Sequence, residues 1–375
     1  MKTAILILLS IVICSSAQNL KWSLENAKLY NFSHFMNEFE KKYDNEQELQ
    51  FRKNVFETTL KKIHEVNANP KMTWKAGVNE FTDRTDEEFG KQFGYNKALS
   101  FKNHKTPNFK VNKQSKRSLA DVPNIVDWRD RGVVSPVRNQ GRCGSCWAFA
   151  TVATVESHIA IQTGHLLAFS EQQLVDCAPN NHHCGGVGGC EGSTQSLGMS
   201  YFHLVGGMVA RDDYPYTAKD GECQSKIPKV ASIDGFHQIR TNDYDAILEG
   251  LANRGPLAIS VAATSWKIYQ EGVYNAWDDC GADVNHVVVA VGYGESEEGK
   301  FWIVRNSWGE SWGEKGYIRL FREKDSASVN CMINNSPADG SGCDGDPSQI
   351  TVCGICGMYM DTSYPLGGRL GGRFA

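Results

Sequence analysis

Proline is scarce in this chain, 11 in 375 residues, and no low-complexity tract or internal repeat interrupts it. With hydrophobic residues at 41% and charged residues at 22%, that composition excludes disordered, collagen-like and coiled-coil classes. Basic charge is not in excess either. The formal net charge is -4, without the cationic footprint that duplex binding needs, so nucleic acid is not expected as a partner. Long apolar runs are missing too: the longest, residues 4–14, covers eleven positions, against about 20 for a membrane-spanning helix. No membrane association of the mature protein is expected. Cysteine is absent from residues 18–120, whereas residues 121–375 carry eleven of the twelve.

What is present begins with the first seventeen residues. Lys2, the apolar run 4–14 and the small residues Ser15, Ser16 and Ala17 read as a cleavable secretory signal peptide. A secreted chain sees an oxidising compartment, where disulfides are the default state of cysteine. Eleven cysteines after cleavage is an odd number, which leaves one thiol for an intermolecular bond or for chemistry. Charge divides where cysteine does. Residues 18–120 hold 19 Lys and Arg against 13 Asp and Glu, a net of +6, and residues 121–375 hold 19 against 30, a net of -11. Opposite signs predict two pieces that attract each other at neutral pH and lose that attraction as carboxylates protonate.

In the front piece, Phe32, Phe35, Met36 and Phe39, then Phe51, Val55, Phe56, Leu60 and Ile63, recur at three and four residues. That spacing predicts two amphipathic helices within 32–93. Residues 100–121 are polar, basic and unpatterned around the pair Lys116-Arg117, as in an exposed, cleavable linker. In the second piece, Phe149, Val152, Val155 and Ile159 mark a helix that opens at Ser145-Cys146 and stops at Gly164. Residues 257–261, 284–291, 301–304 and 317–321 are short β-branched or aromatic runs between Gly-rich turns, predicting strands.

Cys143 and Cys146 form a C-x-x-C pair. Such a pair fits a redox site, a zinc corner, or one bridged cysteine beside one free thiol, and spacing alone does not choose. A catalytic thiol needs a stabilised thiolate and a base elsewhere in the chain, and the expected helix puts Cys146 at its positive end.

The segments QGRCGSCWAF around Cys146, VNHVVVAVGYG around His286 and RNSWGESWGEKGY around Asn306 occur in the order Cys, His, Asn. In these motifs the chain resembles the papain-like cysteine peptidases. Glu48, Arg52, Phe56, Ile63 and Asn67 are similar to the interspersed helix motif of cathepsin L-like propeptides, and Gly77, Asn79, Phe81 and Asp83 to its companion motif. Thr59 stands where that family usually has Asn, which implies a modest change in propeptide packing. The resemblance covers nearly everything from Phe32 to Pro365. It implies an α+β fold of two lobes, one mostly helical with Cys146, one β-rich and barrel-like with His286 and Asn306, preceded by a helical inhibitory propeptide. The corresponding division is signal peptide 1–17, propeptide 18–120 with its helical domain near 32–93, and peptidase domain 121–375.

By the resemblance, Cys146 would be the nucleophile, His286 the general base and acid, Asn306 the amide that orients the imidazole, and Gln140 a donor of the oxyanion hole. No metal or cofactor is implied. Trp308 would shield the Asn–His hydrogen bond, and Trp312 would be a core aromatic. The family's pattern pairs Cys143 with Cys190, Cys177 with Cys223, and Cys280 with Cys356. Cys184, Cys331, Cys343 and Cys353 have no counterparts and would form two more bridges in one of three connectivities. Residues 180–189 and 330–348 read as two surface insertions pinned by these extra cysteines. His182, His183, Cys184 and Cys190, or Cys353 with Cys356, are a weaker zinc reading. The paired histidines lie before Cys190, not after it as in the cathepsin B loop that makes a dipeptidase, which favours an endopeptidase. Counting from Cys356 puts Asp361 at the floor of the pocket for the substrate side chain two residues before the cut (P2), with Ser260 and Val284 on its walls. A carboxylate there could pair with a substrate Arg. Glu191-Gly192-Ser193 replaces the family's N-G-G, and Ser193 is expected to narrow the edge that binds substrate backbone. Asn31 and Asn334 head N-x-S sequons.

The expectation is a thiol endopeptidase acting as a monomer on peptides and proteins, made as a secreted zymogen inhibited by its own propeptide, in a lysosome-like acidic vacuole or outside the cell. A non-catalytic binding protein on the same fold, or an acyl transferase that passes the acyl group to an amine, are the rivals.

Overall fold

The structure is a computed structural model that describes residues 20–93 and 122–371. The expected signal peptide, the linker and the boundary near Asp121 lie outside the described residues.

The front piece opens with helix α1 (Phe32–Glu38) and the longer α2 (Glu46–Ala68). Asparagine side chains start both: Asn31 accepts from the N–H groups of Ser33 and His34, and Asn45 accepts from that of Glu48, satisfying donors a helix start leaves unpaired. Phe32, Phe35 and Phe56 bury their rings where the helices cross. Arg52 ties α2 to the segment after it. Its guanidinium takes Glu88 in two bonds of 2.5 and 2.7 Å and Glu48 at 2.7 Å, which holds the Glu88 carboxyl down to about 2. Thr59 is buried and turns its hydroxyl back onto the Val55 carbonyl at 2.9 Å, so its polar atom is satisfied within the helix.

The helical pattern does not continue to Phe93. A short strand, β1 (Trp74–Ala76), follows α2 and pairs antiparallel with a strand of the second piece. After it come only one turn of helix, α3 (Asp86–Gly90), and a 3-10 turn at Lys91–Phe93. Three residues are too few to show a period of two, and the aromatics of 74–93 pack against the second piece instead of against α2, which is why helix-like spacing misled.

The second piece contains β2 (Val126–Asp127), α4 (Cys146–Thr163), α5 (Glu171–Cys177), α6 (Gln195–Leu204), β3 (Met208–Val209), β4 (Lys229–Gln238) and α7 (Tyr244–Asn253). Then follow β5 (Leu257–Val261), β6 (Tyr269–Tyr274), β7 (His286–Ser296), β8 (Gly299–Arg305) and β9 (Tyr317–Phe321). A separate hairpin, β10 (Cys331–Asn334) with β11 (Ile350–Cys353), precedes the last strand, β12 (Thr362–Leu370). The main sheet runs β1-β6-β9-β8-β7-β5-β12-β4-β3, with β2 beside β7. Strand β7 starts at His286, not at Val284, and β8 starts at Gly299.

Helix α4 is buried on every side from Cys146 to Ala160. Sequence spacing suggested one apolar stripe, but the helix lies in the middle of its lobe, with α5 and α6 on one side and sheet strands on the other. Gly164, at φ 75°, ends it in the left-handed conformation that glycine adopts most cheaply. Two hydrophobic cores result, one around α4 and one inside the β-rich lobe, and the propeptide aromatics join the second.

Among the described residues five disulfides are present: Cys143–Cys190, Cys177–Cys223, Cys280–Cys356, Cys184–Cys343 and Cys331–Cys353. Cys331–Cys353 closes the β10–β11 hairpin, while Cys184–Cys343 joins the two insertions to each other. Cys146 is the free cysteine among the described residues. Every thiol of the zinc reading is therefore in a disulfide. Asn334 is buried with its side-chain oxygen accepting from the Ser336 N–H, so the folded chain cannot offer that sequon for glycosylation; Asn31 is exposed.

Candidate active site

Cys146 is the first residue of α4, and His286 is the first residue of β7. Asn306 follows the last residue of β8, the neighbour of β7. A helix start and two strand ends thus bring three distant residues to one place. His286 Nε2 lies 2.8 Å from Asn306 Oδ1. An amide oxygen can only accept, so Nε2 carries the hydrogen, and Nδ1 of the neutral ring is left with a lone pair. That Nδ1 is buried and makes no hydrogen bond in the described structure. Asn306 Oδ1 also accepts from the Ser307 N–H at 2.8 Å, and the indole of Trp308 stacks on the imidazole with ring centres 4.8 Å apart. Trp308 is fully buried, as is Trp312, which packs edge-on against it.

The backbone N–H groups of Val287, Trp147 and Cys146 itself favour the thiolate, but burial outweighs them and pushes the Cys146 thiol up to about 11. Burial likewise drives His286 down to about 4, against the pull of its bond to Asn306. Cys146 is 2% exposed and His286 1%. Both are therefore held neutral in this proform.

The cover is the propeptide. Phe93 meets the His286 ring edge-on at 5.4 Å, and Phe81, Phe89 and Phe93 all pack on Trp308. Gln140 Nε2 donates to the carbonyl of Gln92 at 2.7 Å and to that of Cys143 at 2.9 Å. Ser307 Oγ donates to Gln140 Oε1 at 2.6 Å, which fixes the amide with its NH2 toward the propeptide. Elsewhere the propeptide extends the sheet through β1 against β6, and Asn79 Nδ2 donates to the Lys267 carbonyl at 2.7 Å. The seven basic residues between 97 and 117 that make the front piece basic, and with them the expected charge attraction, lie outside the described residues. Among the described residues the ion pair that crosses, Lys267 with Asp86 at 3.0 Å, has the reverse sign.

The comparisons agree with this geometry. Residues 122–340 match the papain family cysteine protease model, and residues 32–89 match the cathepsin propeptide inhibitor domain. The chain belongs to the papain family. It is 39% identical over 315 residues to cysteine protease XCP2 of Arabidopsis thaliana, covering 81% of this chain and 83% of that protein. It is 35% identical to fruit bromelain of Ananas comosus, covering 82% and 84%. Among solved structures it is similar to a recombinant stem bromelain precursor, with TM-score 0.72 and 31% identity over 89% of this chain and 97% of that one. The proform of the ragweed allergen Amb a 11 gives TM-score 0.70 and 34% identity, covering 94% and 98%. This papain-family chain is a cysteine endopeptidase made with an inhibitory propeptide, and that propeptide inhibits it intramolecularly.

Asp361 is half-buried. Its carboxylate accepts from Ser260 Oγ at 2.8 Å, Gln195 Nε2 at 2.8 Å and Gln238 Nε2 at 3.2 Å. Burial raises its pKa, and the three donors oppose the rise. No cation pairs with it among the described residues. Ser260 thus joins Asp361, and Val284 is fully buried beside Gly357 and Gly340. Gln195 and Gln238 were missed from sequence because nothing in their spacing links them to Asp361, 166 and 123 residues away.

Proposed function

We propose that Cys146, His286, Asn306 and Gln140 carry out thiol-dependent peptide hydrolysis once the propeptide has left. The observation that carries the reading is the bond from Gln140 Nε2 to a propeptide carbonyl beside the helix start that bears Cys146. A propeptide carbonyl thus occupies one of the donors that this reading assigns to the oxyanion.

Release of the propeptide removes the burial that keeps thiol and imidazole neutral. His286 Nδ1 then takes the Cys146 proton, giving thiolate and imidazolium, with Asn306 holding Nε2–H so that Nδ1 faces the sulfur. Sulfur attacks the carbonyl carbon, and the oxyanion that forms is stabilised by Gln140 Nε2–H and the Cys146 N–H. Collapse breaks the C–N bond, and the His286 proton goes to the departing amine. Water enters, gives a proton to Nδ1, attacks the thioester carbon and frees the acid, returning Cys146 as leaving thiolate. Asp361 forms the floor of the P2 pocket, with Ser260 and Val284 beside it. Its charge, held by neutral donors only, leaves a place for a substrate Arg as well as for apolar side chains.

The same reading takes residues 1–17 as a signal peptide, 18–120 as propeptide and 121–375 as the mature enzyme, acting as a monomer in an acidic vacuole or outside the cell. Five disulfides support an oxidising compartment. The test is hydrolysis of fluorogenic Phe-Arg and Arg-Arg substrates by the acid-treated zymogen and by Cys146→Ala. Loss of all cleavage in the variant is expected. Persistence of cleavage in the variant after the propeptide has left overturns the assignment.

A further inference from the structure

Cys184 and Cys343 come from two insertions in different lobes, and their bond is not isolated. The Gly185 N–H donates to the Gly342 carbonyl at 3.0 Å, and the Asp344 N–H donates to the His182 carbonyl at 2.9 Å. His183 Nδ1 lies 2.8 Å from Asp344 Oδ2. The two insertions therefore meet as a short antiparallel pairing with a disulfide at its centre and an imidazole–carboxylate contact beside it.

Both feet of this bridge stand on the P2 side of the cleft. In the helical lobe, Asn180 holds the turn by bonds to the Cys184 N–H and to the carbonyls of Cys184 and Gly186, each 2.9 Å. The Gly188 N–H reaches the Gly192 carbonyl at 2.7 Å, and a Cβ on Gly185 would stand 2.8 Å from the Ser193 carbonyl. That foot rests on Glu191-Gly192-Ser193, the segment expected to bind substrate backbone. In the β-rich lobe, the Ser341 N–H donates to the Val284 carbonyl at 2.7 Å, and Gly340 is pressed so close to that carbonyl that a Cβ would lie 2.1 Å away. Val284 is two residues before His286. Between the feet lies the Gln195–Asp361–Ser260 contact that forms the pocket floor. The propeptide aromatics use the other neighbour of His286, Trp308.

We propose that residues 182–185 and 340–344, joined by Cys184–Cys343, form a covalent strap that closes the cleft upstream of the P2 pocket, so that the enzyme reads P2 and P1 but gains nothing from residues N-terminal to them. The inference rests on the proposed cleft and its P2 pocket. A chain that turns out to solvent at the strap can still be cut internally, so the strap limits which residues are recognised and leaves endopeptidase cleavage possible. A disulfide suits this role because it fixes the distance between the two insertions covalently.

The test is kcat/KM, per titrated active site, of the mature enzyme for coumarylamides of acetyl-Phe-Arg and of the same sequence with one, two and three alanines added upstream. The wild type should stay within about threefold across the series, whereas C184S/C343S should gain about tenfold, the effect of about 1.4 kcal/mol of new transition-state contact. A tenfold gain in the wild type overturns the strap, as does a double variant whose series parallels the wild type. Should the double variant fail to mature, H183A/D344A keeps the disulfide and should show a smaller gain in the same direction; no gain in that pair counts against the proposal. Cleavage of acetyl-Phe-Arg coumarylamide by the wild type and its loss in Cys146→Ala report on the catalytic reading separately.

Discussion

Gln140 Nε2 lies 2.7 Å from the carbonyl oxygen of Gln92. On the proposed mechanism one amide donor serves two states of the protein: it anchors the propeptide in the zymogen and is free for an oxyanion afterwards. Gln140→Ala should lower kcat/KM by about 10² to 10³, mostly in kcat, because an oxyanion donor acts on the transition state more than on bound substrate. Steady-state kinetics after active-site titration checks this; a change confined to KM would assign Gln140 to substrate binding alone.

His286 gives a pH dependence of known sign. In the zymogen burial lowers its pKa from the ordinary 6.5 to about 4; where the released imidazole is charged from solvent instead of by the Cys146 proton, undocking takes up a proton. Release is then favoured progressively as pH falls from about 6.5 to about 4 and gains nothing further below that window. The first-order rate of zymogen activation, assayed at low enzyme concentration, should rise by up to about tenfold per pH unit across it. A flat profile between pH 6.5 and 4 would show that His286 is not linked to release.

Phe89 is fully buried between Phe81, Phe93 and Trp308. Truncating a buried Phe to Ala costs about 3 to 5 kcal/mol, and here part of that cost falls on propeptide docking. Phe89→Ala should activate faster at neutral pH than the wild type, while the mature enzymes, from which Phe89 has been removed, should have equal kcat/KM. An unchanged activation rate would mean that the strand pairing of β1 with β6 holds the propeptide without help from these rings.

Asp361 predicts a selective loss. Asp361→Asn keeps the size of the side chain and removes its charge, so cleavage of Arg-Arg should fall by about tenfold or more while Phe-Arg cleavage falls far less. Equal losses on both substrates would mean that Asp361 only supports Gln195 and Gln238.

The residues that the proposed mechanism assigns to chemistry stand out in the sequence because each sits in a dense local motif: Cys146 after Cys-Gly-Ser and before a tryptophan at a helix start, His286 ahead of a valine run, Asn306 before Ser-Trp-Gly. Strands such as Leu257–Val261 and Tyr317–Phe321 were legible because buried β-branched runs stand between turns. What stayed hidden depends on partners far away in sequence. Strand β1 exists because β6, almost 200 residues later, offers it an edge. The opposite net charges suggested an electrostatic interface, yet among the described residues aromatic packing on Trp308 and an ion pair of reverse sense stand out, the front piece's basic excess falling on residues 97–117, outside those described. The bridge from Cys184 to Cys343 spans 159 residues, and four unassigned cysteines carry no local signal of which pair meets.

The most direct measurement is to alkylate the acid-activated enzyme with limiting iodoacetamide and follow intact mass, peptide mapping and Phe-Arg hydrolysis together. The ten other cysteines of the described chain are in disulfides, so one adduct should form, on Cys146, with activity falling to zero in proportion to it. The untreated zymogen at neutral pH should label at least about a hundredfold more slowly, since burial by the propeptide keeps that thiol protonated. Full activity in an enzyme carrying one equivalent of label on Cys146 would contradict the account.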